Sequence, residues 1–178
     1  IGSGKGTVIH ALIHELDLTP VPTHTTRPVR GDDPALSHRI FETETNFLRH
    51  RDRGEFIESI ELAGHYYGLL RHDLESVINH QHGAVIELNV DGGIKIVKEY
   101  HQTLLLYLCS SEKLRRERIA NRHMNKSEIE GRMKEARRED KLAKRSYDYL
   151  IENIENHPEE AIEGIKKIVV GRFPQLTA

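Results

Sequence analysis

Gly2-Ser3-Gly4-Lys5-Gly6-Thr7 sets glycines around a lysine directly ahead of a helical stretch. Such a turn aims several backbone N–H groups at one point, and a helix start adds partial positive charge there. A lysine beside it reaches the outer phosphates of a nucleotide, so the implied chemistry is phosphate binding. The full phosphate-loop pattern, G-x-x-x-x-G-K-[ST], puts its first glycine upstream of Ile1, so the chain is expected to begin inside the motif. Gly6 stands where Ser or Thr usually follows the lysine, and Thr7 comes one place later. A second cluster, Thr25-Thr26-Arg27-Pro28-Val29-Arg30-Gly31, carries two arginines in a Pro/Gly-rich segment. Guanidinium forks pair bidentately with phosphate oxygens, which suits a phosphomonoester. Phe56-Ile57-Glu58 and Gly64-His65-Tyr66-Tyr67-Gly68 follow, and then Ile86-Glu87-Leu88-Asn89-Val90-Asp91-Gly92 after an apolar run. A carboxylate at the end of a buried strand near a phosphate loop commonly holds Mg²⁺, directly or through water.

The elements that must position these residues follow from apolar spacing. Val8, Leu12 and Leu16 predict a helix over 7–16. Further helices are expected over 42–53, 73–82 and 91–100, the last capped by Asp91. Ser111 should cap a helix running toward Asn121, Ser127 with Glu130 should form a capping box, and 158–170 should close the chain as an amphipathic helix. Strands are expected over 55–62, 84–88, 103–109 and 149–151. The runs at 84–88 and 103–109 are apolar enough to be buried on both faces. Residues 23–33 read as irregular. Strands alternating with helices predict an α/β fold with a parallel sheet. The stretch 21–82 breaks that alternation and reads as an insertion.

Composition narrows the function classes. The chain has 178 residues, 37% apolar and 30% charged, with a net charge of -2. That bounds it to one domain with inserted lobes and argues against general nucleic-acid binding. No apolar run approaches the roughly 20 residues that span a bilayer, and no signal peptide is visible. The lone cysteine, Cys109, gives no disulfide framework, so a cytoplasmic setting is expected. Twelve histidines are present, but His10 and His14 lack the pattern of a zinc helix. Basic residues crowd 115–138, as either a solvated helix face or an anion-handling lid.

Taken together, T-T-R-x-x-R, G-E-F-I-E, G-x-Y-Y-G, I-E-L-N-V-D-G, the arginine-rich stretch, and Tyr147-Asp148-Tyr149 with Asn153 resemble the guanylate kinases, over nearly the whole chain and in the same order. The resemblance implies a P-loop NTPase-type parallel-sheet core flanked by helices, with an inserted acceptor-binding lobe and a small lid. The core would comprise 1–20, 83–120 and 140–178, the lobe 21–82 and the lid 121–139. It implies ATP-dependent phosphoryl transfer to a nucleoside monophosphate, GMP or dGMP first, with Mg²⁺ as cofactor and no nucleic-acid or membrane partner, in a monomer or homodimer. Gly2, Ser3, Gly4, Lys5, Gly6, Thr7 and Asn153 would hold ATP. Lys5, Arg122 and Arg132 would neutralise the transferring group, and Thr7 and Glu87 would serve the metal. Thr23, Arg27, Arg30, Arg39, Glu58, Tyr67, Leu69 and Asn89 would meet the acceptor.

Three positions depart from the family pattern. Arg39 replaces a tyrosine that binds the acceptor phosphate. Leu69 replaces a Ser or Thr, and Asn89 replaces an Asp, so two polar contacts to the base are altered. Two alternatives follow: the same fold acting on another nucleotide or small phosphorylated acceptor, and a non-catalytic guanylate-kinase-like interaction domain. Lys5, Arg27 and Arg30 occurring together favour a working kinase.

Overall fold

Val8, Leu12 and Leu16, the apolar stripe of the first predicted helix, are all buried, and the helix, α1, runs Lys5–Glu15. The computed structural model describes residues 1–29, 38–62, 64–80, 83–121, 125–155 and 157–176. They group into two compact units, one of Ile9–Glu87 with the segment from Gln175, the other of Ile1–Val8 with Leu88–Pro174. Among the described residues no helix is long and apolar enough to cross a membrane.

The unit containing Ile9–Glu87 holds β1 (Thr19–Pro20), β2 (Thr23–Thr25), β3 (Arg39–Phe41), α2 (Glu44–Asp52), β4 (Phe56–Leu62), β5 (His65–Leu70), α3 (Arg71–His80) and β6 (Ala84–Val85). β1 and β6 pair in parallel, while a separate four-stranded mixed sheet runs in the order β3-β2-β5-β4. Successive side chains alternate between faces of a strand, and the register fixes which residues share a face. Thr23 lies beside Arg39, Thr25 beside both Phe41 and Tyr67, and Glu58 beside Leu69. The opposite face carries His24, Tyr66 and Phe56, against which α2 lays Phe47. That ring stacks on Phe56 and Tyr66 at centroid distances of 4.4 and 5.4 Å. Gly68 is required on that face, because a Cβ there would come within 2.8 Å of the Phe56 ring. His24 is 6% exposed and is bracketed by carboxylates, Nδ1 at 2.8 Å from Glu42 and Nε2 at 2.9 Å from Asp73. It ties β2 to the residue just ahead of the α2 cap and to α3.

The other unit holds α4 (Val90–Glu99), β7 (Leu106–Cys109), α5 (Glu112–Ala120), α6 (Lys126–Ser146), β8 (Tyr149–Glu152) and α7 (Pro158–Arg172). β7 and β8 pair in parallel. Val90, Tyr107 and Ala143 form a core with Ile94, Cys109, Leu142 and Tyr147 around them. Burial pushes the Tyr107 hydroxyl well above the usual phenol range, reinforced by its 2.7 Å hydrogen bond to Asp140. Burial likewise raises the Cys109 thiol.

Several expectations are corrected. The stretch over 23–33 is not all irregular, since β2 forms within it, and β3 and β5 were not anticipated at all. The run 84–88 pairs only over Ala84–Val85, and its residues are half-buried rather than buried on both faces. α4 is capped by Asn89, whose Oδ1 accepts from the Gly92 N–H at 2.8 Å, not by Asp91. The capping box is formed by Asn125 with Glu128, not Ser127 with Glu130. Both pairs have box spacing, and the upstream one satisfies its N–H donors while adding length to α6. The 73–82 helix begins earlier, at Arg71, and its last two expected residues lie outside the described residues.

Candidate active site

In the unit with Leu88–Pro174, the chain enters α1 through two left-handed residues, Gly2 at φ 67° and Gly4 at φ 84°. Left-handed backbone is costly for any residue with a Cβ. Helical geometry leaves the first N–H groups of α1 without intrahelical acceptors. The first turn carries no acidic residue to meet them. Lys5 opens this turn and Thr7 is exposed within it. Asn153 braces the loop from behind, donating Nδ2–H to the Ser3 carbonyl at 2.7 Å. Ser3 Oγ and Asn153 Oδ1 are both buried without a partner. A buried, unmade hydrogen bond costs about 1–3 kcal/mol.

Asp148 and Tyr147 have structural tasks. Asp148 accepts from the Leu105 N–H at 2.8 Å, and the Tyr147 hydroxyl lies 3.4 Å from the Val90 carbonyl. Four of the basic residues over 115–138 are held in ion pairs. Arg115 forks onto Asp140 at 2.9 and 3.0 Å, Arg137 reaches Glu112 at 2.6 Å, Arg116 pairs with Glu130, and Arg138 with Asp91. Arg132 differs: its Nε is buried and has no partner. Arg118 was not singled out by sequence, yet its Nη1 lies 3.4 Å from the Gly2 carbonyl. The only signal was its place in the R-R-E-R run. Arg122 lies outside the described residues.

In the unit with Ile9–Glu87, the four-stranded sheet gathers Thr23, Arg39, Glu58, Tyr67 and Leu69 on one face by register. Glu58 is 4% exposed and Leu69 fully buried. The Arg27 guanidinium lies 5.1 Å from the centre of the Phe41 ring and donates to the Pro28 carbonyl at 2.8 Å. The Arg27 backbone N–H donates to Thr25 Oγ1 at 3.2 Å. Arg39 Nη2 is 2.7 Å from a Glu87 carboxylate oxygen. Burial lowers the pKa of His38, next to Arg39, with repulsion from His10 adding to it. Asn89 belongs to the other unit. Arg30 lies outside the described residues.

A family model described as "Guanylate kinase" matches residues 1–171. The chain belongs to the guanylate kinase family. Similar curated proteins include a guanylate kinase of Thermotoga maritima, 33% identical over 179 residues, covering 99% of this chain and 85% of that protein. Another, from Polaromonas sp., is 33% identical over 173 residues, covering 94% of this chain and 82% of the relative. Among solved structures, guanylate kinase from Anaplasma phagocytophilum shares the fold at a TM-score of 0.73 and 22% identity, over 94% of this chain and 81% of that one.

Gly4 offers a direct check on whether the loop of this guanylate kinase family member binds phosphate. A Cβ on Gly4 would fall 2.6 Å from Asn153 Nδ2, at a φ that L side chains avoid. Gly4→Ala is therefore expected to lower ATP affinity about 10-fold or more, since roughly 1.4 kcal/mol suffices for that factor. Calorimetry with a non-hydrolysable ATP analogue reads the effect, and wild-type affinity would contradict the proposed loop geometry.

Proposed function

We propose that the chain transfers the γ-phosphoryl group of ATP to the phosphate of GMP, giving ADP and GDP. An acceptor phosphate oxygen attacks the γ-phosphorus in line, the bond to the β–γ bridging oxygen breaks, and ADP leaves with that electron pair. No side-chain nucleophile takes part, so catalysis rests on positioning and charge neutralisation. Lys5 and the free N–H groups at the start of α1 would bind the outer phosphates. Arg132, with Arg122, would neutralise the equatorial oxygens as charge shifts. Thr23 and Glu58 would meet the base, and Arg27, Arg30, Arg39 and Tyr67 the acceptor phosphate. The observation that carries the reading is the family match over residues 1–171, joined to a left-handed glycine loop opening a helix with no acid in its first turn.

Magnesium forms part of this proposal. The exposed Thr7 hydroxyl and the Glu87 carboxylate are hard oxygen donors of the type it takes, and when bound it would offset charge on the phosphoryl oxygens. The core, lobe and lid boundaries at 21–82 and 121–139 are likewise proposed, as is a cytoplasmic setting with access to ATP.

A second reading, relaxed choice of base, is favoured by two observations. Leu69 is fully buried and apolar beside Glu58, and the Oδ1 of Asn89 is already engaged as the cap of α4. A coupled assay of ADP release with GMP, dGMP, IMP, AMP and UMP separates the readings. GMP is expected to lead. Equal rates with AMP would favour the relaxed site, and no turnover with any of them would refute the kinase.

A further inference from the structure

Arg39 and Glu87 face each other at 2.7 Å through Nη2, with 23% and 28% of their side chains exposed. The pair is thus reachable by solvent. Arg39 also lies beside Thr23 in the β2–β3 register, on the sheet face that carries Glu58 and Tyr67. A guanidinium grips an oxyanion bidentately either end-on, with Nη1 and Nη2, or side-on, with Nε and Nη2. Nη2 serves both grips, and it is the nitrogen that Glu87 holds. A phosphomonoester carries close to two negative charges at neutral pH. Either grip would bring those charges against the Glu87 carboxylate, and like charges in such proximity repel.

We propose that Glu87 is a built-in placeholder on Arg39, and that the acceptor's phosphate displaces it. This rests on the reading of the chain as a nucleoside monophosphate kinase and adds how its acceptor site is gated. Before the acceptor arrives, the ion pair neutralises Arg39. When a phosphomonoester binds, Arg39 exchanges one anion for another. The acceptor therefore binds against a competitor that the protein carries itself. A ligand with the same base but no phosphate meets no such competition.

The test is calorimetric, on the full chain without ATP, using GMP and guanosine as probes. Glu87→Gln keeps the shape and removes the competing charge. Partly exposed ion pairs are modest, so GMP is expected to bind about 2- to 5-fold tighter to the variant, with guanosine unchanged. Arg39→Gln is expected to weaken GMP binding. In the Arg39→Gln background, the added Glu87→Gln change is expected to do nothing. Unchanged GMP affinity in Glu87→Gln overturns the exchange and leaves the kinase reading standing. Tightening that persists without Arg39 also overturns it, because the effect would then be general charge. Absence of GMP binding to the wild-type protein, with ATP analogue still bound, overturns the acceptor reading and the exchange together. Arg39→Lys serves as a further check: it keeps the charge but loses the fork, and is expected to fall between wild type and Arg39→Gln.

Discussion

Lys5→Ala is expected to lower kcat by about 10³-fold while leaving GMP binding nearly unchanged. The loss follows from where the charge acts. Removing one neutral hydrogen-bond donor aimed at developing transition-state charge costs about 10²–10³ in kcat, and Lys5 supplies a full charge at the opening of α1. Backbone N–H groups remain in the variant, so ATP still binds, more weakly. What would disappear is the group proposed to follow the phosphoryl oxygens as negative charge moves. Lys5→Arg is not expected to restore activity, because a planar fork cannot replace a compact ammonium at that point. A coupled ADP-release assay with a GMP titration reads kcat and KM separately. Wild-type turnover in Lys5→Ala would remove the phosphate loop from the mechanism, and a selective rise in KM for GMP would place Lys5 with the wrong substrate.

The loop and α1 were legible because both signals are local. Glycines can be read as left-handed turns, and Val8, Leu12 and Leu16 repeat over two turns of one helix. The apolar run ending at Cys109 was legible for the same reason, although its ladder begins only at Leu106. The mixed sheet was harder. β2 and β3 are three residues each, Thr-His-Thr and Arg-Ile-Phe, too short to show a period of two. Their pairing is decided by partners elsewhere in the chain. The ionic bracket on His24 was hidden in the same way, since Glu42 and Asp73 lie 18 and 49 residues away. The basic run was ambiguous because charge does not announce its partner. Arg115 pairs with Asp140 across 25 residues, and Arg138 with Asp91 across 47. Only after these pairs form does Arg132 stand out, through one buried nitrogen left unmatched. The family motifs nominate acceptor residues, but they could not tell that Arg39 has Glu87 as a partner.

Glu58→Gln is expected to cost GMP about 10²-fold or more in kcat/KM and to compress the preference for GMP over IMP. Glu58 sits nearly buried beside Leu69, on the same sheet face as Thr23 and Tyr67. A carboxylate there accepts from two adjacent donors, and guanine offers such a pair in its N1–H and amino group. Glutamine keeps the volume but turns one acceptor into a donor, so one guanine N–H meets another N–H. Hydrogen bonds to charged groups are worth about 1.5–3 kcal/mol each, and a mismatched buried donor adds its desolvation cost. IMP lacks the amino group, so it has less to lose from the exchange. The phosphate contacts are untouched, and the loss should therefore fall on base discrimination, not on ATP binding. Leu69 gives this prediction its force: an apolar neighbour leaves the base to Glu58 and Thr23. Parallel assays with GMP and IMP, with thermal melts to confirm folding, decide it. An equal loss for both nucleotides would mean that Glu58 holds the sheet and does not read the base.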